Sequence, residues 1–341
     1  MINRRVADGL NLFNKLTLRR VFNAIQVWSS YHLAKLLSKP IHWGDPISIS
    51  IEPTTSCNLR CPECPSGLRS FSRPIGMLQD DLFEKAIEEL SQRTIYLLLY
   101  FQGEPYLNRN FIRYVNLAHR RNLYVATSTN AHYLNNEMAR ITVESGLDRL
   151  IISIDGTTQE SYEKYRIGGH LDHVLEGTRN IVKWKHALCS AKPHLIFQMV
   201  VFSSNEHQIK DLYTLAKTIG VDEVRLKTAQ VNDFVNGSPL LPKQQQYSRY
   251  RKNSDEEYVL KNKLKNQCWR LWSSAVITWD GAVVPCCFDK DALHPMGNIQ
   301  ASSFRKVWRN QTYRNFRSAL LQSRSEIEIC KNCSEGTQVW K

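Results

Sequence analysis

Strand-like and helix-like patterns alternate along residues 46–230. Six short apolar stretches, rich in β-branched and aromatic residues, are separated by five longer stretches whose hydrophobic positions recur at helical spacing. Several helical stretches end in Gly, as at Gly146 and Gly220. The predicted strands are Ile47–Pro53, Tyr96–Gln102, Tyr124–Thr129, Arg149–Asp155, Leu195–Phe202 and Glu223–Thr228, and the predicted helices are Gln79–Gln92, Asn110–Arg121, Asn135–Ser145, Leu171–Leu188 and Gln208–Ile219.

This alternation predicts an α/β fold with a parallel sheet and right-handed helical crossovers. Six such units make three quarters of a (β/α)8 barrel, so we predict an incompletely closed, TIM-like (β/α)6 barrel. In barrels of this kind the active site lies at the C-terminal ends of the strands. The residues that directly follow each strand are therefore the first candidates for chemistry.

Two further regions flank the predicted barrel. Residues 1–45 are predicted to be a basic amphipathic helical extension, because apolar residues recur at helical spacing from Arg19 to Leu37 among Lys and Arg side chains. Such a helix either packs on the main domain, which we favour, or lies at a membrane interface. A linker-like stretch at Asn236–Pro242 separates the predicted barrel, residues 46–236, from a small cysteine-rich domain, residues 237–341.

The net charge of +13 is concentrated at the two ends of the chain. Residues 1–39 carry a net charge of +6 and residues 238–341 carry +8, whereas the stretch between them carries −1. This distribution indicates either an anionic or membrane-associated substrate or simply a solvated surface. The only feature that would support nucleic-acid binding is the basic charge. No nucleic-acid-binding motif accompanies it, so a nucleic-acid partner is not expected.

The nine cysteines are better explained by metal binding than by disulfides. The N-terminus lacks the pattern of an export signal, and no apolar run reaches the length of about 20 residues that spans a membrane. We therefore expect a cytoplasmic protein, with peripheral attachment to a membrane surface as an open alternative. Cys189 follows a helical pattern and is predicted to be a small buried hydrophobic residue.

Three of the cysteines, Cys57, Cys61 and Cys64, directly follow the first predicted strand with the spacing Cys-x3-Cys-x2-Cys. Three thiolates do not complete a tetrahedral zinc site, and no histidine lies nearby in the sequence. They suit a [4Fe–4S] cluster, in which one iron then has no protein ligand and is free to bind and activate another molecule. A zinc loop completed by a distant residue is the alternative.

This cysteine pattern resembles that of the radical S-adenosylmethionine (SAM) superfamily, and other motifs along the barrel agree in family order. The resemblance implies that the open iron binds SAM and that one electron from the cluster releases a 5′-deoxyadenosyl radical, which abstracts a hydrogen atom from a substrate. It also implies an external one-electron reductant such as flavodoxin or ferredoxin. The residues expected to contact SAM are Gln102, Gly103, Glu104, Thr129, Asn130, Ser153, Asp155 and Arg166.

The chain departs from the family pattern at two of these places. Gln102-Gly103-Glu104-Pro105 resembles a Gly-Gly-Glu-Pro segment that holds the methionine amino group, but Gln102 replaces the first Gly. Glu63 stands before the third cysteine, where the family usually has an aromatic residue near the adenine. This second departure puts the adenine contact in doubt rather than the cluster.

A second cysteine set lies near the C-terminus: Cys268, Cys286, Cys330 and Cys333. The spacing Cys-x12-Gly-x4-Cys, followed by a Cys-x2-Cys pair, resembles the SPASM/Twitch extension of radical SAM enzymes. That resemblance implies one auxiliary [4Fe–4S] cluster with four protein ligands, suited to accept an electron. A four-cysteine zinc site is the alternative, and Cys287 is an alternative ligand to Cys286.

Together these features predict a radical SAM enzyme, similar to oxidoreductases, whose catalytic acid or base the sequence does not identify. The SPASM/Twitch resemblance implies modification of a peptide or protein side chain. Oxidation of a sugar-like or lipid-linked small molecule is the first alternative, and a non-catalytic iron–sulfur or zinc-binding protein is the second.

Overall fold

The computed structural model describes residues 4–334, in which the predicted parallel barrel sheet is present. Its six central strands run side by side in the order β1 to β6, every neighbouring pair being parallel. Both the predicted α/β class and the partial barrel are confirmed. The strands are β1 (Ser48–Ile51), β2 (Tyr96–Leu98), β3 (Tyr124–Thr129), β4 (Arg149–Ser153), β5 (His194–Val201), β6 (Glu223–Thr228), β7 (Tyr250–Lys252), β8 (Tyr258–Leu260), β9 (Ser274–Ile277), β10 (Ala282–Val284) and β11 (Gly297–Asn298).

Helices cover the strands on the outside of the sheet. Their ends follow ordinary capping chemistry: the Asn135 side chain accepts a hydrogen bond from Met138 N, and Gly220 ends its helix at φ +95°. The helices are α1 (Arg4–Phe13), α2 (Leu18–Leu37), α3 (Pro65–Leu68), α4 (Asp80–Leu90), α5 (Phe111–Arg120), α6 (Asn136–Glu144), α7 (Gln159–Glu163), α8 (Leu171–Ala187), α9 (Ile209–Ile219), α10 (Arg270–Ser273), α11 (Phe304–Trp308), α12 (Gln311–Ser323) and α13 (Glu328–Lys331).

The C-terminal region extends the barrel sheet. Strand β9 pairs in parallel with β1, with Ser48 opposite Ser274, and β10 and β11 continue the sheet in antiparallel fashion. Strands β7 and β8 form a separate hairpin. The nine-stranded sheet therefore contains strands from both sides of the predicted linker at residues 236–242. The three domain boundaries stay predictions, and residues 1–3 and 335–341 of the terminal segments lie outside the described part.

Helix α1 closes the lower end of the barrel, where the strands begin. The carboxylate of Asp8 accepts hydrogen bonds from the Tyr124 hydroxyl and from the Arg149 guanidinium, both of which lie in neighbouring strands β3 and β4. Arg4 pairs with Asp222 at 2.7 Å just before β6. A buried polar cluster of this kind fixes the orientation of α1 because each charged group has its partner.

The predicted burial of Cys189 is wrong, and the packing of α2 on the main domain uses an unexpected set of side chains. Helix α2 does pack on the main domain, but through Arg20, Asn23, Val27, Ser30 and Ala34, while most of its large apolar side chains face outward. Cys189 is exposed rather than buried. It lies beyond the last residue of α8 at φ 47°, so the apolar face of that helix does not extend to it.

Within residues 4–334 no helix combines the length and the apolar character needed to cross a membrane.

Candidate functional site

The first cysteine loop lies at the C-terminal end of β1. Cys61 is buried, Cys57 and Cys64 are half-buried, and Cys64 is the residue that precedes the short helix α3. The loop turns back on itself so tightly that a Cβ on Gly67 would lie 2.5 Å from the backbone nitrogen of Cys61. Glycine at position 67 is therefore needed for this tight packing of the loop.

The segment Gln102–Pro105, which follows β2, packs directly against this loop. Gly103 has φ +72°, and a Cβ there would lie 2.3 Å from the carbonyl oxygen of Thr54. Its N–H donates to Ser66 Oγ at 2.9 Å, and the N–H of Glu104 donates to the carbonyl of Ser56 at 2.8 Å. Gln102 is buried at the start of the same segment. The backbone bonds hold the Glu104 side chain beside the cysteine loop.

The carboxylate of Glu104 joins the ends of β2 and β3. It accepts hydrogen bonds from Thr129 Oγ1 at 2.7 Å, from Asn130 N at 2.8 Å and from Tyr106 N at 3.3 Å. Burial raises the pKa of Glu104 to about 7, although these three hydrogen bonds favour the ionised form. The carboxylate is thus both a structural link and a group that titrates near neutral pH.

Asn130 connects the third strand end to the cysteines. Its side-chain nitrogen donates to Asn58 Oδ1 at 2.7 Å and lies 4.0 Å from Cys57 Sγ. The carboxamide oxygen accepts from His132 N at 3.1 Å, so both ends of the side chain are held. Asn130 therefore presents an amide group at the rim of the cysteine loop in a fixed orientation.

The fourth strand end contributes a buried ion pair next to the same loop. Asp155 accepts from Arg166 Nε at 2.5 Å and from Val200 N at 2.6 Å, and Arg166 Nη1 lies 3.8 Å from Cys61 Sγ. Burial alone would lower the pKa of Arg166, but Asp155 and Cys61 hold it well above the usual value. Ser153 is the buried last residue of β4. The predicted SAM contacts thus meet at one end of the barrel.

The chemistry of this donor set fits an iron–sulfur cluster. Burial raises the pKa of the Cys57 thiol to about 12 and also raises that of Cys61. Thiolates at such buried positions form only with a cationic partner, which a bound metal supplies by deprotonating its thiol ligands. The Arg166 guanidinium adds fixed positive charge beside Cys61. Three thiols, one cation and the adjacent polar strand ends match a cluster with one open iron.

The second cysteine set lines a single apolar cavity. Cys330 and Cys333 are buried, and burial raises the pKa of Cys286 and of Cys330 above that of an ordinary thiol. Cys287 does not line this cavity; its sulfur lies 3.9 Å from Arg270 Nη1 instead. The arrangement favours Cys286 over Cys287 as the ligand. The cavity is lined by Cys268, Cys286, Cys330 and Cys333 together with Leu271, Phe288, Phe316 and Leu320.

A buried arginine that the sequence analysis did not single out belongs to this second site. Arg324 Nη2 donates to Cys333 Sγ at 3.3 Å, and Nη1 donates to the carbonyl of Gln267 at 2.9 Å. Burial lowers the pKa of Arg324, but Cys268, Cys333 and Cys330 more than offset this and raise it. A fixed guanidinium among four thiols suits an anionic thiolate-bound cluster. Arg324 is one of many basic residues near the C-terminus, so the sequence gave no signal of this role.

A short backbone segment connects the two cysteine sites. The N–H of Asn232 donates to the carboxylate of Glu63, next to Cys64, at 2.8 Å. The carbonyl of Val231 accepts from the side chain of Asn332, which lies between Cys330 and Cys333, at 2.8 Å. Residues 231 and 232 therefore bridge the two sites. Glu63, the departure from the family pattern, has a structural role in this bridge.

Comparison with known families agrees with this geometry. The family model described as the radical SAM superfamily matches residues 51–216, and the model described as SPASM, an iron–sulfur cluster-binding domain, matches residues 268–334. The chain belongs to the radical SAM superfamily. As a radical SAM enzyme with a SPASM domain, it uses SAM and two [4Fe–4S] clusters. This assignment replaces the zinc interpretations of the two cysteine sets.

Relatives of the radical SAM enzyme are distant but cover most of its length. It is 25% identical to a tungsten-containing aldehyde ferredoxin oxidoreductase cofactor-modifying protein of Pyrococcus furiosus, over 83% of this chain and 86% of that protein. It is 23% identical to PqqA peptide cyclase of Gluconobacter oxydans, over 86% and 84%. The structure of Streptococcus suis SuiB bound to precursor peptide SuiA matches with a TM-score of 0.63 at 14% identity, over 90% and 74%, which shows the same fold.

The titration of Glu104 leads to a prediction about SAM binding. The ionised carboxylate of Glu104 is predicted to accept a hydrogen bond from the amino group of SAM, so we expect SAM affinity to increase as the pH rises through about 7. In Glu104→Gln this dependence should be shallower, because the amide does not titrate. SAM titrations of the reconstituted protein at several pH values measure it. The SAM amino group titrates equally in both proteins, so identical pH profiles would contradict the assigned contact.

Proposed function

We propose that this radical SAM enzyme modifies a C–H bond in a peptide or protein side chain and passes an electron to its second cluster. The observation that supports this proposal most strongly is the bridge through Val231 and Asn232 between the two cysteine sites. These hydrogen bonds connect the segments that carry the two cysteine sets, which supports a fixed separation between the two sites. A constant separation suits electron transfer between an active site and a second centre.

The proposal assigns the ligands as follows. Cys57, Cys61 and Cys64 hold the first cluster, and Cys268, Cys286, Cys330 and Cys333 hold the second. When bound, SAM and the first cluster supply a carbon-centred radical for hydrogen abstraction, and the second cluster supplies an electron acceptor. The residues proposed to contact SAM are Gln102, Gly103, Glu104, Thr129, Asn130, Ser153, Asp155 and Arg166.

The protein residues have distinct positioning roles within this assignment. Asp155 accepts hydrogen bonds from Arg166 and from the backbone of β5, so it also orients the guanidinium. Arg166 is then free at its Nη1 side to offset negative charge at Cys61. Glu104 and Asn130 present oxygen and nitrogen atoms from neighbouring strand ends. Together they form a polar rim beside the three thiols.

The peptide substrate is supported by the relatives rather than by the site itself. PqqA peptide cyclase and mycofactocin maturase MftC of Mycobacterium ulcerans are both similar to this chain, the first across most of its length and the second over 51% of it. We further propose that flavodoxin or ferredoxin supplies the electron and that the protein works in the reducing cytoplasm. Nine free cysteines are kept in that state most easily there.

The substrate class can be tested with fractions of a cell extract. The reconstituted protein, SAM and a reductant are mixed with the protein, peptide or small-molecule fraction, and 5′-deoxyadenosine formation is measured. We expect stimulation by the protein or peptide fraction, with loss of that stimulation after protease treatment. Stimulation confined to the small-molecule fraction and resistant to protease would instead support oxidation of a sugar-like or lipid-linked molecule.

Replacing the second cysteine pair should separate the two clusters by role. In Cys330→Ala/Cys333→Ala, the iron content should fall from about eight to about four atoms per chain, while SAM cleavage without substrate continues. Substrate modification should stop because its electron acceptor is missing. Cys287→Ala is the matched control and should leave the iron content unchanged, because Cys287 lies outside the cavity. Loss of iron in this control would show that Cys287, rather than Cys286, is the ligand.

A further inference from the structure

Helix α2 exposes seven large apolar side chains, whereas its buried face combines Val27 and Ala34 with the polar Arg20, Asn23 and Ser30. The exposed residues are 39% to 92% accessible, whereas Asn23, Ser30 and Ala34 on the opposite side are buried. This is the reverse of the usual amphipathic arrangement of a surface helix. We call the exposed set the apolar face; it consists of Leu18, Val21, Phe22, Ile25, Trp28, Leu36 and Leu37.

Buried polar contacts hold α2 in this orientation. The Arg20 guanidinium donates to four backbone carbonyls, those of Lys15, Asn122, Ser91 and Arg121, at 2.6 to 3.0 Å. Asn23 exchanges two hydrogen bonds of 2.8 Å with the backbone of Asp45. Rotating the helix to bury the apolar face would break all of these bonds and leave their groups unsatisfied. The outward direction of the apolar face is therefore built into the fold.

Positive charge surrounds the apolar face. Arg19, Lys35 and Lys39 are exposed beside it, and the one acidic residue among residues 1–39, Asp8, is buried. Next to Phe22, a groove of about 430 Å³ is lined by Arg19, Arg93, Arg305 and Arg309 together with Trp43. The carboxylate of Asp45 is shared among three of these arginines, which leaves an excess of positive charge.

We propose that the apolar face binds the surface of a membrane that contains anionic phospholipids. Apolar and aromatic side chains would enter the interfacial layer while the flanking arginines and lysines meet the phosphate groups. Charge complementarity favours this partner over a second copy of the chain, because a two-fold interface would bring the same cationic groups together. An exposed apolar surface of this extent needs a partner of some kind.

This attachment leaves the SAM-binding end of the barrel accessible. The carbonyls that anchor Arg20 belong to Ser91, Arg121 and Asn122, which precede β2 and β3 and so lie at the edge opposite the cysteine loop. Membrane attachment of this kind does not depend on the proposed reaction. A protein bound in this way would reach substrates at or near the membrane.

The test is co-sedimentation of the anaerobically reconstituted protein with vesicles, without SAM or substrate. We expect binding to vesicles of phosphatidylcholine mixed with phosphatidylglycerol, release by added salt, and much weaker binding to phosphatidylcholine alone. Phe22→Gln/Ile25→Gln should lower the partition coefficient by about tenfold or more, because two apolar side chains no longer enter the membrane. Both positions are exposed, so the fold should persist, and an unchanged iron content verifies this.

Leu188→Gln/Tyr213→Gln is the matched control, since it removes two exposed apolar side chains far from α2 along the chain. It should bind as the unaltered protein does. Three results would overturn the proposal: no binding to anionic vesicles, equal binding to neutral vesicles, or unchanged binding of the Phe22/Ile25 variant. A fourth contradicting result would come from sedimentation velocity without lipid. If the unaltered protein is a dimer and the Phe22/Ile25 variant is a monomer, the apolar face binds a second copy of the chain.

Discussion

Replacing Cys57, Cys61 and Cys64 together with Ala should lower the iron content of the reconstituted protein from about eight to about four atoms per chain and abolish SAM cleavage. The three thiols lie on one loop at the end of β1, and burial raises the pKa of Cys57 and of Cys61, so that a bound metal favours their thiolate forms. Without them the first cluster has no protein ligand. Iron analysis and 5′-deoxyadenosine formation with dithionite and SAM measure the two losses.

The control for this variant is Cys189→Ala, which removes an exposed thiol outside both sites. It should retain the full iron content and SAM cleavage. The second cluster should also persist in the triple variant, because its four thiols line a separate cavity. A triple variant that still cleaves SAM at the normal rate would show that the first cysteine loop has been assigned to the wrong chemistry.

Replacing Arg166 with Met should destabilise the protein by about 3–5 kcal/mol, because one partner of a buried ion pair is removed. The carboxylate of Asp155 is fully buried and would keep only its bond from Val200 N. Chemical denaturation under anaerobic conditions measures the free energy of unfolding. The double variant Asp155→Asn/Arg166→Met should recover part of the loss, since no isolated buried charge remains.

Arg140→Met serves as the comparison for the same substitution at an exposed site. Arg140 pairs with Glu137 and Glu144 on the surface of α6, and exposed pairs of this kind contribute little to stability because solvent screens them. If Arg166→Met and Arg140→Met have equal effects, the Asp155–Arg166 pair does not stabilise the site. In that case the position of Arg166 beside Cys61 must come from packing alone.

Local patterns along the chain were sufficient to predict the barrel. Strands β3 and β6 have the predicted bounds Tyr124–Thr129 and Glu223–Thr228, and the other four barrel strands differ by a few residues at their ends. Hydrophobic periodicity and turn residues involve only neighbouring positions, so they can be read from a single sequence. The same holds for Cys57, Cys61 and Cys64, whose spacing lies within one loop. The family and both cofactors followed from such local motifs and are confirmed.

Contacts between distant segments were not predictable in this way. The bridge from Glu63 to Asn332 uses the backbone N–H of Asn232 and the backbone carbonyl of Val231, which all residues except proline possess and which therefore leave no mark in the sequence. Arg324 was one basic residue among many until the fold placed it against Cys333. The exact roles of the predicted SAM contacts stay predictions.

The sequence by itself determined the strand and helix order, the two cysteine sets and the chemistry that their spacing allows. Only the tertiary structure decided which face of α2 is buried. Hydrophobic periodicity predicts an amphipathic helix, but the hydrogen bonds of Arg20 to the backbone carbonyls of Lys15, Ser91, Arg121 and Asn122 turn its apolar stripe to the outside. Three of the four carbonyls come from segments about 70 to 100 residues away, and their satisfaction by one guanidinium outweighs the local pattern.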